Sequence, residues 1–138
     1  MIEGNVSGRQ FRFSYFTSEY EATVAFYRDG LGLPILESWD RNPDDRGTLF
    51  AAATGVIEVL VRPKGAEPAH LWDRRPPQGA FMVIEVEDVD AEYRRAVAKG
   101  LSIRQELADQ EWGHRGFCLV EPNGLVLYLF SEIAGRHG

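Results

Sequence analysis

Eight short segments of this chain are rich in apolar residues, and in several of them apolar and polar residues alternate. Alternation with a period of two is typical of β-strands that bury one face. Four such segments lie in each half. They are FRFSYFT (11–17), LPILESWD (33–40), TLFAAAT (48–54) and VIEVLVR (56–62), then AFMVIEV (80–86), LSIRQEL (101–107), GFCLVEP (116–122) and LVLYLFS (125–131). The pattern therefore predicts four strands in each half of the chain, with a polar turn, RNPDDRG, at 41–47.

One helix is predicted after the first strand of each half. The first begins at an S-x-x-E capping box at 18–21 and ends at Gly30; the second is capped by Asp88 and ends at Gly100. Their apolar positions have helical spacing. These are Tyr20, Val24, Tyr27 and Leu31 in the first helix and Val89, Tyr93, Ala96 and Val97 in the second.

The order of strand, helix and three strands occurs twice. An offset of 69 places Glu19 on Asp88, and an offset of 70 places Gly30 on Gly100. The repeat indicates an internal duplication and an α+β fold with helices on one side of mainly antiparallel strands. We predict one domain over residues 1–138, with module 1 at about 10–62, a proline-rich connector at 63–79 and module 2 at about 80–132.

The last predicted strand is apolar on both faces. Leu125, Leu127 and Leu129 form one face, and the opposite face consists of Val126, Tyr128 and Phe130. A strand with two apolar faces is expected to be shielded from solvent on both sides. We expect the second face to line a concave pocket or an interface.

Composition excludes several classes of function. The chain has 138 residues, a net charge of −6 and a single cysteine, Cys118. Acidity argues against nucleic-acid binding, and one cysteine excludes an intrachain disulfide. No long apolar run predicts a membrane span, and no secretory signal is visible at the N-terminus, so a cytoplasmic location is expected.

Three segments carry a resemblance to a known family. TSEYEATVAFYRDGLGLPI (17–35), VEDVDAEYRRAVAKGL (86–101) and EWGHRGFCLVEPNGLVLYLF (111–130) resemble the vicinal oxygen chelate superfamily, which includes glyoxalases, bleomycin resistance proteins and dioxygenases. This implies two βαβββ modules whose curled mixed sheets form a cleft, and a homodimer. The combination W-G-x-R with E-P-x-G is most similar to the antibiotic-binding branch, whose members sequester a drug without altering it.

Metal-dependent members of that superfamily place one ligand on each of four cleft-facing strand positions. The resemblance puts these positions at Arg12, Glu58, Phe81 and Tyr128. Arginine is permanently cationic and has no free lone pair, and phenylalanine cannot bind a metal. We therefore expect neither a catalytic metal site nor another cofactor, and we assign no catalytic residue.

Several of these residues have two possible roles. Arg12 and Glu58 could pair as a structural element, or Arg12 could bind a ligand carboxylate or phosphate. Tyr128 could be a core aromatic residue or could offer its hydroxyl to a ligand. Phe81 is a candidate for the same ligand surface.

The aromatic residues outside the strands' cores are also open to two interpretations. Trp112 lies in a polar loop, where it could form a wall against a flat or cationic ligand or contact a partner subunit. Trp39 and Trp72 are expected, by resemblance alone, at the rim of the cleft. His114 is the histidine nearest the predicted site; as an acid–base group it would need a partner such as Asp109 or Glu111.

The first functional hypothesis is metal-independent binding of a small organic ligand, aromatic or cationic, with antibiotic sequestration as a possible role. The alternative is a glyoxalase- or dioxygenase-type enzyme (lyase, isomerase or ring-cleaving) with an atypical site. A third is an interaction module whose cleft is filled by its own side chains. The expected partners are a second copy of the chain and the small ligand, without nucleic acid or membrane.

Overall fold

The computed structural model describes residues 9–64 and 78–134. The elements in the first half are β1 (Arg12–Thr17), α1 (Tyr20–Ala25), β2 (Ile35–Asn42), β3 (Asp45–Ala52) and β4 (Gly55–Val61). A wider π-helical turn, Phe26–Gly30, continues α1. The second half consists of β5 (Phe81–Glu85), α2 (Val89–Ala98), β6 (Ser102–Asp109), β7 (His114–Val120) and β8 (Val126–Glu132).

Two four-stranded sheets organise these elements. Their strand orders are β1-β4-β3-β2 and β5-β8-β7-β6. In each sheet the first strand runs parallel to the last one, and the other pairs are antiparallel. The predicted α+β fold of two βαβββ modules is confirmed, and the matching strand orders fit a duplication.

The chain separates into two compact units. The first contains Met1–Arg28 and Gly32–Pro76, and the second contains Asp29–Leu31 and Pro77–Gly138. The second unit thus includes three residues from the end of the first helical segment. There the side chain of Arg95 donates a hydrogen bond of 2.9 Å to the carbonyl of Leu31.

The core of the first unit lies between α1 and its sheet. Tyr27 is fully buried, and its hydroxyl lies 2.8 Å from the hydroxyl of Tyr15. The hydroxyl of Tyr20 lies 2.7 Å from Oγ1 of Thr48 on β3. A buried hydroxyl without a hydrogen-bond partner lowers the stability of the fold. Because the hydroxyls of Tyr20 and Tyr27 are paired, these residues can occupy the core. The predicted apolar face of this helix is confirmed.

The capping box predicted at the start of this helix does not form. The residue in the N-cap position is Glu19, and no side chain caps the helix there. The backbone N–H of Glu19 donates instead to Oγ1 of Thr17, at 2.7 Å. Glu21 binds an arginine on β3. Ser18 therefore lies one residue before the N-cap position, and the Glu21 side chain is already bound by the arginine on β3.

The core of the second unit is more apolar. Ala96 of α2 and Phe117, Leu127 and Leu129 of the sheet are buried, and the Phe117 ring meets Tyr93 edge-on at 5.0 Å. As predicted, Asp88 caps this helix: its Oδ1 accepts from the N–H of Ala91 at 3.1 Å. Val97, predicted on the buried face, is 53% exposed, so the apolar stripe is narrower than its sequence indicates.

An arginine between two carboxylates connects helix and sheet in the second unit. Nε of Arg115 lies 3.0 Å from Asp90 of α2, and its Nη1 lies 3.0 Å from Asp109 of β6. Both carboxylates raise the pKa of the guanidinium, and Arg115 holds the pKa of Asp90 below its ordinary value. The cluster thus links the three consecutive elements α2, β6 and β7.

The first unit contains the same cluster. Arg46 lies 2.9 Å from Glu21 on α1 and 3.5 Å from Asp40 on β2. Each of these three residues precedes its counterpart by 69 positions. Repetition of a whole ionic cluster at a constant offset is the strongest structural support for the duplication.

Substituting Arg115 by leucine is expected to lower the free energy of unfolding at neutral pH and to flatten its dependence on pH in acid. Asp90 has a lowered pKa when folded, so its contribution is present above the ordinary value of 3.8 and is lost as pH falls through the lowered pKa. Urea unfolding at several pH values measures this. Arg104→Leu, which removes an exposed arginine from the same sheet, is the control; equal pH profiles for both variants would contradict the expectation.

Three further predictions concern the loops and the termini. The turn predicted at 41–47 is tighter than expected, because β2 reaches Asn42 and β3 starts at Asp45. Most of the predicted connector, together with Trp72, lies outside the described residues. Within the described residues, no helix is long and apolar enough to cross a membrane.

Candidate functional site

The face of the second sheet that is turned away from α2 is here called the open face. Strand register and alternation place Phe81 and Val83 of β5, Tyr128 and Phe130 of β8, and Cys118 of β7 on it. Phe81 is 61% and Val83 is 50% exposed, whereas Phe130 is buried. Adjacent apolar side chains that stay accessible on a sheet are a candidate binding surface.

Four aromatic rings follow one another along this face. The His114 ring stacks on Phe130 with centroids 3.8 Å apart, and Tyr128 stacks beside Phe130 at 5.6 Å. Trp112 stands edge-on to His114 at 6.4 Å, and its Nε1 donates a hydrogen bond of 3.1 Å to Nδ1 of His114. The structure therefore brings together three predicted site residues, Tyr128, His114 and Trp112, in what is here called the aromatic row, with Phe130 as the fourth ring.

The hydroxyl of Tyr128 is the unusual atom of the aromatic row. It is shielded from solvent and makes no hydrogen bond within the described part of the chain. Burial raises the pKa of Tyr128, and the neighbouring indole N–H of Trp112 opposes this rise. That N–H is directed to His114 at 3.1 Å, so the phenol has no hydrogen-bond partner within residues 9–64 and 78–134. Its raised pKa means that the phenol is protonated at neutral pH.

Gly116 makes room for the Tyr128 ring. A Cβ atom at this position would lie 2.6 Å from Cε1 of Tyr128 and 2.7 Å from the carbonyl oxygen of Leu129. Any larger residue at position 116 would displace the ring or the neighbouring strand. The glycine is thus part of the site, although it contributes no side chain.

Cys118 lies next to Tyr128 across the strand pair. Its thiol is 3.6 Å from Oε1 of Gln105, and burial raises the pKa of the thiol. A protonated thiol is a weak nucleophile. Cys118 therefore contributes a small apolar surface to the open face.

The corresponding face of the first sheet carries the polar side chains of Arg12, Ser14 and Glu58 beside the apolar Leu49 and Leu60. Oε1 of Glu58 accepts a hydrogen bond of 2.7 Å from Ser14 and lies 3.6 Å from Nη1 of Arg12. The predicted pairing of Arg12 with Glu58 is confirmed. The Arg12 side chain is half exposed and that of Glu58 is largely covered, so the pair is closer to a surface ion pair than to a buried one.

Trp39 lies flat over a glycine in the first sheet, as Tyr128 does in the second. A Cβ atom on Gly47 would come within 2.2 Å of the Trp39 ring. The indole N–H donates to Asp45 at 3.1 Å, and the guanidinium of Arg41 lies 5.8 Å from the ring centroid. Trp39 thus has local partners of its own in the turn between β2 and β3.

The residues at the superfamily's ligand positions do not fit a metal. In the first unit the only carboxylate among them, Glu58, is engaged by Ser14 and Arg12. The second unit has Phe81 and Tyr128 there. In residues 9–64 and 78–134, no three His, Cys, Asp or Glu side chains are grouped so that they could hold an ion.

The carboxylate of Asp109, one of the two candidate acid–base partners of His114, binds Arg115 instead. The carboxylate beside His114 is Glu132, whose Oε2 lies 3.5 Å from Nε2. Glu132 lies opposite His114 because β7 and β8 pair antiparallel in this register, although the two residues are far apart in the sequence.

Two functional positions were not found from the sequence. Gly116 lies on β7 and Glu132 lies on β8. Only the register of these two strands shows which site residues they contact. The sequence did contain an indication of Gly116, because Gly47 lies 69 positions earlier and also follows an arginine.

An open depression of about 460 Å³ also exists in the second unit, on the side of α2. It contains the Arg115 cluster, so several of its charges are already paired. Its lining residues do not include Tyr128, Trp112 or Phe130. The depression and the aromatic row therefore have different linings, and Glu132 lies next to both.

Comparison with known proteins assigns the family. The profile of the Glyoxalase/Bleomycin resistance protein/Dioxygenase superfamily matches residues 9–129, nearly all of the chain. The chain belongs to this superfamily. The resemblance deduced from the sequence segments is thereby confirmed.

Similar proteins include one from Bacillus subtilis (strain 168), described as uncharacterized protein YraH. It is 29% identical over 121 residues, which cover 84% of this chain and 92% of that protein. TioX from Micromonospora sp. ML1 has a similar structure, with a TM-score of 0.73, 21% identity, and coverage of 91% of this chain and 100% of TioX. At that identity the likeness establishes the fold alone.

A protein of unknown function from Agrobacterium tumefaciens str. C58 is also similar, with a TM-score of 0.70 and 25% identity over 91% of this chain and 94% of that one. A superfamily member from Alicyclobacillus acidocaldarius has a TM-score of 0.66 and 18% identity, over 94% and 95% of the two chains. Both agree with the two-sheet architecture described above.

Proposed function

We propose that this protein binds a small organic molecule with a planar aromatic part on the open face of its second unit, without a metal ion. The observation that carries the proposal is the Tyr128 hydroxyl, which is covered by protein and has no hydrogen-bond partner among the described residues. A buried polar atom left unpaired costs about 1–3 kcal/mol. A ligand that displaces the side chains over this hydroxyl and brings a polar atom to it would remove that cost.

The surroundings of the hydroxyl indicate the chemistry of the ligand. The exposed apolar groups on or beside this face, Phe81, Val83 and Trp112, offer a surface on which a flat ring can stack. The ligand we propose therefore combines an aromatic ring with one hydrogen-bonding group, which can be donor or acceptor because a phenol serves both.

The same residues favour binding over chemistry. Both ring nitrogens of His114 face protein groups, with Nδ1 on Trp112 and Nε2 toward Glu132. The thiol of Cys118 keeps its proton because burial raises its pKa. Neither group is placed as a free base or nucleophile, so we rank an enzyme of lyase, isomerase or ring-cleaving type second.

Antibiotic sequestration by a cytoplasmic homodimer is the finer form of this proposal. It is supported by membership of a superfamily that includes bleomycin resistance proteins. A thermal-shift screen of aromatic antibiotics and metabolites, with and without divalent metal ions, tests it, because ligand binding raises the apparent stability. Hits that require a metal would favour the enzymatic alternative.

The Tyr128→Phe variant is expected to bind N-phenyl-1-naphthylamine about five- to tenfold more weakly than the wild type, because one hydrogen bond is lost. This neutral probe has two aromatic groups and an N–H donor, and its fluorescence reports binding. The matched control is Tyr93→Phe, which removes a hydroxyl from the opposite side of the same sheet. Its affinity should equal that of the wild type.

The same substitution should leave the free protein as stable as the wild type or about 1 kcal/mol more stable, since it removes an unpaired buried hydroxyl. Weaker binding together with unchanged or higher stability distinguishes a ligand-binding tyrosine from a core tyrosine. If Tyr128→Phe binds the probe as tightly as Tyr93→Phe does, this hydroxyl is no ligand anchor.

A further inference from the structure

The turn between β7 and β8 contains an asparagine followed by a glycine, Asn123 and Gly124. The chain has three asparagines, Asn5, Asn42 and Asn123, and only Asn123 precedes a glycine. Glycine has no side chain to hinder the approach of its own backbone nitrogen to a neighbouring group. An asparagine in this position is therefore the one most open to attack on its side-chain amide.

Such an attack is the first step of deamidation. The backbone nitrogen of Gly124 would form a bond to Cγ of Asn123, and the Cγ–Nδ2 bond would break. The side-chain nitrogen leaves as ammonia, together with the proton that the Gly124 nitrogen loses. Water then opens the cyclic imide at either of its two carbonyls and leaves aspartate or isoaspartate at position 123. Both turn residues are exposed, so water reaches them.

In the closed turn, Glu121 binds both reacting groups. Nδ2 of Asn123 donates a hydrogen bond of 2.7 Å to Oε2 of the Glu121 carboxylate, and the backbone N–H of Asn123 donates to Oε1 at 2.5 Å. The N–H of Gly124, the attacking group, donates to the carbonyl of Glu121 at 2.8 Å. The reaction therefore requires the Asn123 side chain to leave the carboxylate and the Gly124 N–H to leave its acceptor. Hydrogen bonds to a carboxylate are strong, which makes this opening rare.

We propose that Asn123–Gly124 is a deamidation site that Glu121 keeps unreactive while the turn is closed, and that the products destabilise the turn. Aspartate at position 123 would place a second carboxylate where the amide now donates to Oε2, and carboxylates in contact repel each other. Isoaspartate would also add a methylene group to the main chain just before β8. Since β8 carries Tyr128 and Phe130, the strand of the aromatic row would lose its fixed starting point.

The protection can be measured by incubating the wild-type protein at mildly alkaline pH and locating the ammonia loss by peptide mapping with mass spectrometry. Asn123 is expected to react about 100-fold more slowly in native buffer than in denaturing guanidinium, because opening the turn breaks three hydrogen bonds. Asn42 is the internal control, since the proline after it has no N–H to lose. Equal rates at Asn123 in buffer and in denaturant would overturn the proposal.

The role of Glu121 is tested by Glu121→Ala, which should deamidate at Asn123 at least about tenfold faster than the wild type in native buffer. Val89→Ala is the matched control, because it removes part of a buried side chain from α2 and lowers the stability of the fold without changing the turn. If both variants react equally fast, unfolding of the whole protein controls the reaction and Glu121 does not protect the site. A wild-type rate in Glu121→Ala would have the same meaning.

The effect of the product is tested by Asn123→Asp, which reproduces one of the two products. It should unfold at a lower urea concentration than Asn123→Ala, which loses the same donor but adds no charge. A midpoint for Asn123→Asp equal to or above that of Asn123→Ala would show that a carboxylate is tolerated beside Glu121. That result would overturn the destabilising effect of deamidation.

Discussion

Replacing Gly116 by alanine is expected to lower the free energy of unfolding by about 3 kcal/mol, the upper part of the usual range for overpacking. The added methyl group would lie 2.6 Å from the Tyr128 ring and 2.7 Å from the backbone carbonyl of Leu129. The ring can turn, but the carbonyl belongs to the strand paired with β7 and cannot move alone. Alanine also relieves the entropic cost of glycine in a strand, a gain of at most about 1 kcal/mol that does not offset the clash.

Gly47→Ala provides the matched comparison, because Gly47 is the counterpart of Gly116 in the first sheet. The three atoms nearest to its added methyl group, at 2.2 to 2.7 Å, belong to the Trp39 side chain. That ring is partly exposed and can swing outward, so the expected loss is only about 1 kcal/mol. Guanidinium unfolding of both variants measures the difference. A loss in Gly116→Ala no larger than that in Gly47→Ala would contradict the importance of the Leu129 carbonyl.

Local patterns were sufficient to predict the backbone. Short apolar-rich segments located all eight strands, and helical spacing located both helices. The Asp88 cap was predictable because the donor and acceptor lie three residues apart. The fold class followed from the order of the elements.

Several side-chain partners that lie in different elements were not predictable. The capping box at Ser18 does not form because Thr17 accepts the N–H of Glu19 and an arginine on β3 binds Glu21. Asp109 does not pair with His114 because Arg115, on the opposite face of β7 from His114, binds it. For both Glu21 and Asp109, an arginine on another element engages the carboxylate that was expected to act locally.

The sequence predicted which residues lie in the candidate site but not how their side chains are arranged. The superfamily resemblance pointed to Tyr128, Trp112 and His114, and these do lie together on the open face. Their stacking order and the unpaired phenol depend on the register of β7 with β8, which includes a glycine under the ring. No pattern within a single segment specifies that register.

Glu121, the acidic residue of the E-P-N-G segment, is a buried carboxylate that organises the turn into β8. It is only 2% exposed. Its Oε1 accepts from the backbone N–H of Asn123 at 2.5 Å and from that of Leu125 at 2.9 Å, and its Oε2 accepts from the Asn123 side chain at 2.7 Å. Gly124 completes the turn with a positive φ of 91°. The carboxylate thus replaces the backbone partners that the turn cannot supply.

Glu121→Ala is therefore expected to lower the free energy of unfolding by about 3 kcal/mol, since two backbone N–H groups lose their acceptor at a buried site. Glu121→Gln should cost only about 1 kcal/mol, because its amide oxygen can still accept at the Oε1 position. Urea unfolding of both, with Glu106→Ala on the exposed side of β6 as the control, measures the two losses. If Glu121→Ala is no less stable than Glu106→Ala, the turn forms without its carboxylate. If the glutamine and alanine variants lose the same free energy, the negative charge matters more than the acceptor geometry.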